Sequence, residues 1–330
     1  MNNLGRQFQV SIFGESHGEC VGVLIDGCPA GMRLSREEFS FDLDRRKGGK
    51  RGTTSRKEPD VPLLKSGIFK GRTTGAPILI LFENTNVDSS VYEDIRFTPR
   101  PGQADLVAFQ KYGGFNDYRG SGPFSGRLTA GLVAVGVIAK KLISPVKVEA
   151  RLIEAGGLKD IESAVSSAVE RGESIGGIVE CEAMGLPTGL GEPFFDSVES
   201  LISHMVFSIP GVRGIEFGAG FAAARLTGRE HNDEFLDIHG ATKTNNAGGV
   251  NGGITNGNNL VFRIAVKPTS SISSPQHTVD VRTGEKVKIT VNGRHDVCIA
   301  LRVPVIVEAV TAIVCADLML IAQKIGGIIR

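Results

Sequence analysis

The stretch Phe13-Gly14-Glu15-Ser16-His17-Gly18 comes directly after a short run that alternates apolar and polar residues, Phe8-Gln9-Val10-Ser11-Ile12. The alternation predicts a β-strand, and it places His17 just past the end of that strand in a glycine-flanked turn. Glycine permits positive φ and lets a ligand come close to the backbone, so the pattern suits a histidine that projects into a site. An ordinary turn residue has the same surroundings, and this stretch alone leaves both interpretations open.

The segments beyond this stretch predict a chain that mixes strands and helices throughout. Residues 21–26 are expected to pair with the first strand. Asp196 with Glu199 forms a capping pattern, which predicts the start of a further helix. The periodicity of the apolar residues predicts strands at 75–82, 176–183, 215–226, 260–266 and 286–291, and helices at 128–143 and 160–171.

The last long segment, 304–325, is nearly apolar and about as long as a membrane span. Glu308 and Asp317 interrupt it, and charged side chains are costly inside a bilayer. We therefore interpret this segment as a helix in the core or at an oligomer interface, and we expect no membrane association.

The composition is that of an ordinary globular protein, with 41% hydrophobic and 22% charged residues in 330. The formal net charge is +1, so the chain as a whole has no electrostatic reason to bind nucleic acid or an anionic membrane. Any anion site has to be local. We find no internal repeat and no sharp shift in composition, and we predict one domain over residues 1–330.

The five cysteines form no Cys-x-x-Cys pair and no Cys/His cluster with zinc spacing. This pattern favours reduced, structural thiols and predicts no metal site. The first residues lack the basic and apolar regions of a signal peptide. Both features predict a cytoplasmic enzyme.

A basic run between residues 45 and 57 is the strongest local charge feature. It contains no acid and several glycines, and a flexible loop of this kind can wrap a phosphate. A solvated charge run and a nucleic-acid contact are the alternatives, and the absence of an aromatic residue for base stacking counts against the second. Its seven cations are Arg45, Arg46, Lys47, Lys50, Arg51, Arg56 and Lys57.

Two further loops are rich in glycine. Residues 118–127 lead into the predicted helix at 128–143, and a glycine loop before a helix N-terminus suits an anion, although the same pattern also occurs as a plain connection. Residues 240–253 combine glycines with asparagines, whose backbone and amide donors suit a polar, planar ligand.

Taken in order, these loops resemble the chorismate synthase family along nearly the whole chain. Seven ordered motifs are far more specific than any single one. They are Gly14-Glu15-Ser16-His17-Gly18, Asp44-Arg45-Arg46, Arg100-Pro101-Gly102 with Ala104-Asp105, Asp117-Tyr118-Arg119-Gly120, Asn246-Ala247-Gly248-Gly249, Lys267-Pro268-Thr269 and Gly293-Arg294-His295-Asp296.

The resemblance implies an α+β fold, a β-α-β sandwich with helices between antiparallel sheets, assembled as a homotetramer. It implies a lyase of the shikimate pathway that removes phosphate and a hydrogen from 5-enolpyruvylshikimate 3-phosphate in an anti-1,4 elimination, giving chorismate. The reaction uses reduced FMN without net redox change, and some members draw on NADPH as the reductant. Such a site has to hold a flavin against an anionic substrate.

The same resemblance implies roles for individual residues. His17 is expected to act as a general acid near the departing phosphate, and Asp296 to act with the flavin in removing the hydrogen. The residues expected to bind substrate or NADP are Arg45, Arg46 and Arg51. The residues expected around FMN are Ser125, Arg127, Gly252, Lys267, Pro268, Thr269, Ser270, Ser271 and Arg294. We interpret His295 as a positioning residue of its turn.

The chain departs from the family pattern at two positions. Gln103 stands where the family has a second catalytic histidine, and an amide cannot transfer a proton at neutral pH. Pro123 removes a backbone donor from the loop at 118–127. These departures keep a second hypothesis open, in which the protein is an impaired paralogue that binds flavin or a phosphorylated ligand without catalysing elimination.

Overall fold

The computed structural model of the protein describes residues 2–291, 293 and 295–329 and, at residue 94, the backbone alone. Its strands are mostly short, and the longest of them build two sheets. In chain order the strands are β1 Asn3–Leu4, β2 Gln9–Gly14, β3 Cys20–Asp26, β4 Leu63–Leu64, β5 Ile68–Phe69, β6 Arg72–Thr73, β7 Ile78–Glu83, β8 Lys147–Ala155, β9 Gly177–Met184, β10 Val212–Phe217, β11 Val250–Asn251, β12 Ile254–Thr255, β13 Leu260–Val266, β14 Gln276–Val279 and β15 Lys286–Ile289.

The helices range from single turns to one that crosses the whole core. In chain order they are α1 Ser40–Arg46, α2 Ser90–Asp94, α3 Asp105–Tyr112, α4 Thr129–Leu142, α5 Ile161–Arg171, α6 Val198–Val206, α7 Gly228–His231 and α8 Val303–Ile321. Short 3-10 turns precede several of them, including Gly126–Leu128 before α4 and Ile299–Arg302 before α8.

Two antiparallel sheets enclose a layer of helices. One sheet has the strand order β1-β2-β3-β7-β4 and the other has the order β10-β13-β9-β8. Helix α4 packs on β3 and on α8, and α8 packs on β8 and β9. The predicted fold, with helices between antiparallel sheets, is therefore confirmed.

The first hairpin brings the glycine-rich turn of the opening motif to the edge of a sheet. Strand β2 pairs with β3 up to Gly14, which lies opposite Val21. Gly14 has φ of 101°, and a Cβ at this position would lie 2.4 Å from the carbonyl oxygen of Cys20. Only glycine fits here, because the conformation and the close backbone contact both exclude a side chain.

Helix α8 forms the centre of the core. By length and composition the segment Ile299–Ile321 passes for a membrane span, but 78% of its apolar window is buried inside the protein. The carboxylate of Asp317 on α8 accepts hydrogen bonds from the backbone N–H groups of residues 6, 7 and 8, which fixes the N-terminal segment. The prediction of a core helix is confirmed. One contiguous cluster of buried residues runs from Phe8 to Met319, and the single domain stays a prediction.

Two local predictions were wrong. The side chain that caps α6 is Ser197, which accepts from the N–H of Ser200, and not Asp196. The strand expected at 215–226 ends at Phe217. Gly218 follows with φ of 53°, and a Cβ on it would lie 2.1 Å from the carbonyl oxygen of Asn246, so the chain turns here into a 3-10 segment.

Candidate active site

A cavity of about 350 Å³ lies where the loop after β2, the basic loop, the loop before α4 and the segment before α8 meet. Its charge is strongly unbalanced towards cations. Among the described residues, the charged groups that line it are Arg46, Lys47, Arg56, Arg100, Arg127, Lys267 and Arg302 against Glu58, Asp60, Asp88 and Asp296. A cavity with this balance favours anionic ligands.

His17 lies in the wall of this cavity and is held on several sides. Its Nδ1 atom is 2.9 Å from the hydroxyl oxygen of Ser89. The ring of Tyr92 packs edge-on against the imidazole, with the ring centroids 5.3 Å apart. A Cβ on Gly120, which has φ of 57°, would lie 2.4 Å from the imidazole. The loop at 118–127 therefore needs a glycine here to let the histidine in.

Burial, together with the cations Arg56 and Arg119, lowers the pKa of His17 to about 4, and Asp117 and Asp88 oppose this shift only in part. The imidazole is thus neutral at pH 7 in the absence of a ligand. A phosphate bound nearby would act in the opposite direction, because an anion favours the protonated form. His17 can therefore take up a proton when an anionic substrate binds and return it later.

Asp60 joins two arginines of the cavity wall. Its Oδ2 atom accepts from Nη2 of Arg46 at 2.5 Å, and its Oδ1 atom accepts from Nη1 of Arg127. Arg46 is the last residue of α1, and Arg127 belongs to the 3-10 turn before α4. Burial raises the pKa of the Asp60 carboxyl, but the two guanidinium groups outweigh this effect and lower it, so Asp60 is ionised.

A third arginine is fixed in a similar way. Nη2 of Arg56 donates to Glu58 at 2.7 Å, and the same guanidinium donates to the hydroxyl and the carbonyl oxygen of Ser16 at 3.1 Å. Glu58 also accepts from the N–H groups of Thr85 and Asn86. Arg56 is thereby tied to the residue that precedes His17.

Asp296 is oriented by two donors. Nη1 of Arg302 lies 3.2 and 3.0 Å from its two oxygens, and the N–H of Thr54 donates to Oδ1 at 2.9 Å. Nε of Arg302 donates in turn to the carbonyl oxygen of Arg46 at 2.7 Å. The carboxylate is therefore held in one position between the basic loop and the start of α8.

Another part of the cavity wall is built around Arg100. This buried guanidinium donates to Asp105 at 2.7 and 2.8 Å, to Ser121 at 2.9 Å and to Ser271 at 3.2 Å. Lys267 is bound there too, since its Nζ atom donates to the carbonyl oxygen of Gly102 at 2.6 Å. The loop after β13 thus packs on the loop that carries Gln103.

Most of the predicted site residues do meet in this cavity. The residues of the predicted set that line it are His17, Arg46, Gln103, Ser125, Arg127, Lys267, Pro268, Thr269, Ser270, Ser271 and Asp296. Arg294 lies outside the described residues. His295 also lines the cavity, where burial and Arg100 lower its pKa.

Three predicted residues do not line it. Arg45 points to Glu308, with two hydrogen bonds of 2.7 and 2.6 Å, so its guanidinium is already occupied. Arg51 is exposed on the basic loop. Gly252 lies at the exposed tip of the β11–β12 hairpin.

The loop at 240–253 was interpreted as a ligand loop. Its polar groups form hydrogen bonds within the loop and with neighbouring segments. The carboxylate of Asp233 accepts from the N–H groups of Asn246 and Ala247, and the amide of Asn245 donates to the carbonyl oxygen of Asn259. No described residue of this loop lines the cavity. Its glycines and asparagines therefore serve the loop's own conformation in this structure.

Sequence reasoning missed Glu58, Asp60, Arg100 and Arg302 as members of the site. Glu58 and Asp60 come directly after the basic run. Two acids next to seven cations could have indicated ion pairs with the run. Arg302 was the only cation close to the start of the apolar segment at 304–325. Nothing in the spacing of these residues indicated that they meet.

The cavity also has the features that a flavin needs. Ile209, Pro210 and Ile299 add an apolar wall, and the loop at 267–271 adds polar edges. The hydroxyl of Thr269 and Nε2 of His295 are buried there without a hydrogen-bond partner among the described residues. Across the described part of the chain, no group of three or more His, Cys, Asp or Glu side chains could hold a metal ion.

Comparison with known proteins finds relatives that all belong to one family. The family model for chorismate synthase matches residues 8–320. A protein named "Chorismate synthase" from Chitinophaga pinensis is 61% identical over 331 residues, with all of both chains covered. One from Dehalococcoides mccartyi is 47% identical and covers 100% of this chain and 99% of its own.

The fold has a solved counterpart as well. A structure described as "Crystal Structure of Chorismate Synthase" superposes with a TM-score of 0.74 at 27% identity, and the match covers 97% of this chain and 93% of that one. Sequence motifs, full-length relatives and fold agree. The chain belongs to the chorismate synthase family.

Proposed function

We propose that the protein is a chorismate synthase, a carbon–oxygen lyase that converts 5-enolpyruvylshikimate 3-phosphate to chorismate and phosphate with reduced FMN. The observation that carries this proposal is the cavity, in which cations outnumber carboxylates and a neutral histidine lies beside them. The substrate is strongly anionic, with a phosphate to be expelled. A site of this kind binds that charge and can protonate the leaving group.

Arg46, Arg56 and Arg127 are the groups that we assign to the anionic substrate. Each is fixed by a carboxylate of its own surroundings, so its orientation does not have to be established when the ligand binds. Preorganised donors stabilise developing negative charge without reorganisation. We assign the expelled phosphate to the region of these arginines and of His17.

His17 and Asp296 divide the proton chemistry. His17 gains a proton when the phosphorylated substrate binds and donates it to the departing phosphate. Asp296, oriented by Arg302 and Thr54, is the group that we assign to accepting the proton lost from C6. Gln103 contributes a hydrogen bond rather than a proton.

The loop at 267–271 is the part of the chain that would hold the cofactor. Lys267, Ser270 and Ser271 provide polar edges, and Pro268 and Thr269 line the cavity between them. Reduced FMN, when bound, supplies an electron-rich ring next to the substrate. The source of the reducing electrons, NADPH at this protein or a separate reductase, stays a prediction with both alternatives open.

We propose a homotetramer in the cytoplasm that acts on a small molecule, with no nucleic-acid partner and no membrane. Five free cysteines suit a reducing compartment. Phe194, Phe195, Phe221 and Ile238 are large apolar side chains that the single chain leaves exposed, and an interface between subunits would cover such groups. Light scattering of the purified protein tests the assembly.

The test of the lyase is an anaerobic assay with dithionite-reduced FMN and 5-enolpyruvylshikimate 3-phosphate. Chorismate is followed by its absorbance and phosphate by release, and the proposal predicts both at equal amounts over many turnovers. Absence of product while substrate and FMN still bind would instead support the impaired paralogue. Full-length similarity to proteins named chorismate synthase does not favour that alternative.

A further inference from the structure

Asp60 has an unusual combination of burial, charge and backbone conformation. Its side chain is 0% exposed and accepts one arginine at each oxygen. Its φ is 50°, in the left-handed region, which costs a non-glycine residue about 1 kcal/mol. Aspartate and asparagine tolerate this region better than other residues. A strained, buried charge of this kind persists only where the surroundings require it.

Of the two arginines that Asp60 holds, Arg127 also donates to Asn84 and to the carbonyl oxygen of Glu83, whereas Arg46 has donors left over. Nε of Arg46 is buried without a partner among the described residues, and its Nη1 atom reaches Thr129 only at 3.5 Å. Arg46 and Arg127 are each 4% exposed in their side chains, and both line the cavity. A buried charged donor without a partner is costly, so an oxygen of a bound ligand would complete the group.

We propose that Asp60 is a positioning residue for anion recognition: it keeps Arg46 and Arg127 together, with the remaining donors of Arg46 available to the substrate's phosphate or carboxylate groups. The identity of the anion rests on the function proposed above. Asp60 itself does not contact the ligand, because its carboxylate is fully covered by the two guanidinium groups and the surrounding chain. Without it, two buried cations would repel each other and turn away from the arrangement seen here.

Glu308 provides a matched control. It is also a buried carboxylate held by two cations, Arg45 and Lys140, at 2.6 and 2.7 Å, and both cations pair with Asp42 as well. None of these four residues lines the cavity. A purely structural role for Asp60 predicts that the two carboxylates behave alike on neutralisation.

The test is to titrate 5-enolpyruvylshikimate 3-phosphate by calorimetry into flavin-free wild type, Asp60→Asn and Glu308→Gln. Asparagine keeps the shape and tolerates the φ, so Asp60→Asn removes the charge and one of the two acceptor oxygens, as Glu308→Gln does at the control site. We expect its Kd and KM to rise together by about 10- to 100-fold, the equivalent of one charge-assisted hydrogen bond, with a smaller change in kcat. Glu308→Gln is expected to stay within about two-fold of wild type, because it disturbs no ligand contact.

Asp60→Gly adds a rescue. Glycine is unstrained at this φ and leaves space for a small carboxylate. Formate should restore tight binding, and chloride at the same ionic strength should not. Failure of this variant to fold even in formate would assign the carboxylate to folding and overturn the proposal.

An unchanged Kd in Asp60→Asn, or equal effects in both carboxylate variants, would overturn the proposal too. A wild type that binds the substrate but does not convert it would instead count against the proposed function. A wild type that does not bind this substrate at all would overturn both.

Discussion

Two buried carboxylates, Asp60 and Glu308, are each paired with two cations, and they lie on opposite sides of α1. Arg46 at the end of that helix reaches Asp60, while the adjacent Arg45 reaches Glu308. Neighbouring helical residues point in different directions, so one helix end supplies both clusters. The Asp60 cluster borders the cavity, whereas the Glu308 cluster joins α1, α4 and α8.

The two clusters differ in the further hydrogen-bond partners that their cations have. Arg45 and Lys140 are 32% and 24% exposed in their side chains, and both also donate to the carboxylate of Asp42, at 3.1 and 2.9 Å. Arg46 and Arg127 are each 4% exposed; Arg127 also donates to Asn84 and to the carbonyl oxygen of Glu83, whereas Nε of Arg46 has no partner among the described residues. The Glu308 cluster therefore stabilises the helix layer, whereas the Asp60 cluster leaves a buried donor that a bound anion would pair.

The largest effect is expected for His17→Ala, on the cavity side of this comparison. Loss of a positioned general acid should lower turnover by about 10²- to 10⁴-fold. FMN binding should remain largely intact, because His17 lies among Ser89, Tyr92 and Arg56 rather than at the loop 267–271. The anaerobic assay and a flavin titration check the two parts, and unchanged turnover would refute the assigned role.

A paired comparison of Arg46→Gln and Arg45→Gln should separate the clusters most clearly. Arg46→Gln removes a ligand donor and leaves Asp60 half paired, so kcat/KM should fall by about 10²-fold. Arg45→Gln should lower the free energy of unfolding but change kcat/KM by less than about 3-fold. Equal losses in activity would remove the distinction drawn between the two clusters.

Gln103→His should raise turnover by at most about 10-fold. Glutamine lines the cavity next to Arg100 but cannot transfer a proton, whereas imidazole can. Steady-state rates of the variant and of Gln103→Asn, which keeps the amide, give the measurement. A neutral or lower rate would mean that the site is built around the glutamine amide.

The smallest effect concerns pH and stability. His17 has a pKa of about 4 in the folded protein, against an ordinary value of 6.5, so below pH 6.5 the unfolded chain binds a proton that the folded chain does not. Stability should therefore fall as the pH falls from 7.5 to 5.5, by about 1 kcal/mol from this residue. Urea unfolding of wild type and His17→Gln checks the difference, and equal slopes would contradict it.

Local patterns predicted much of this structure. The first hairpin, the helix at 128–143 and the core helix follow from periodicity and turn residues. These features depend on residues close together in the chain. Long-range pairing was not predictable in the same way: Asp60 and Arg127 are 67 residues apart, and Arg45 and Glu308 are 263 apart.

The basic run at 45–57 shows why long-range pairing could not be predicted from the sequence. Its cations look equivalent in the sequence, yet Arg46 and Arg56 line the cavity, Arg45 holds the helix layer and Arg51 is exposed. Which of them meets a carboxylate depends on how α1 packs against α4 and α8, and no local pattern records that. In the loop 240–253, donors that the sequence offers to a ligand bond to Asp233 and Asn259 instead, and no local pattern indicated these partners either.

The most direct test of this account is a crystal structure of the protein with 5-enolpyruvylshikimate 3-phosphate. We predict an anionic group of the substrate within hydrogen-bond distance of Arg46 or Arg127, while Asp60 keeps both arginines and Glu308 keeps Arg45 and Lys140. A substrate whose phosphate and carboxylates all bind elsewhere, for example at the exposed Arg51, would contradict it.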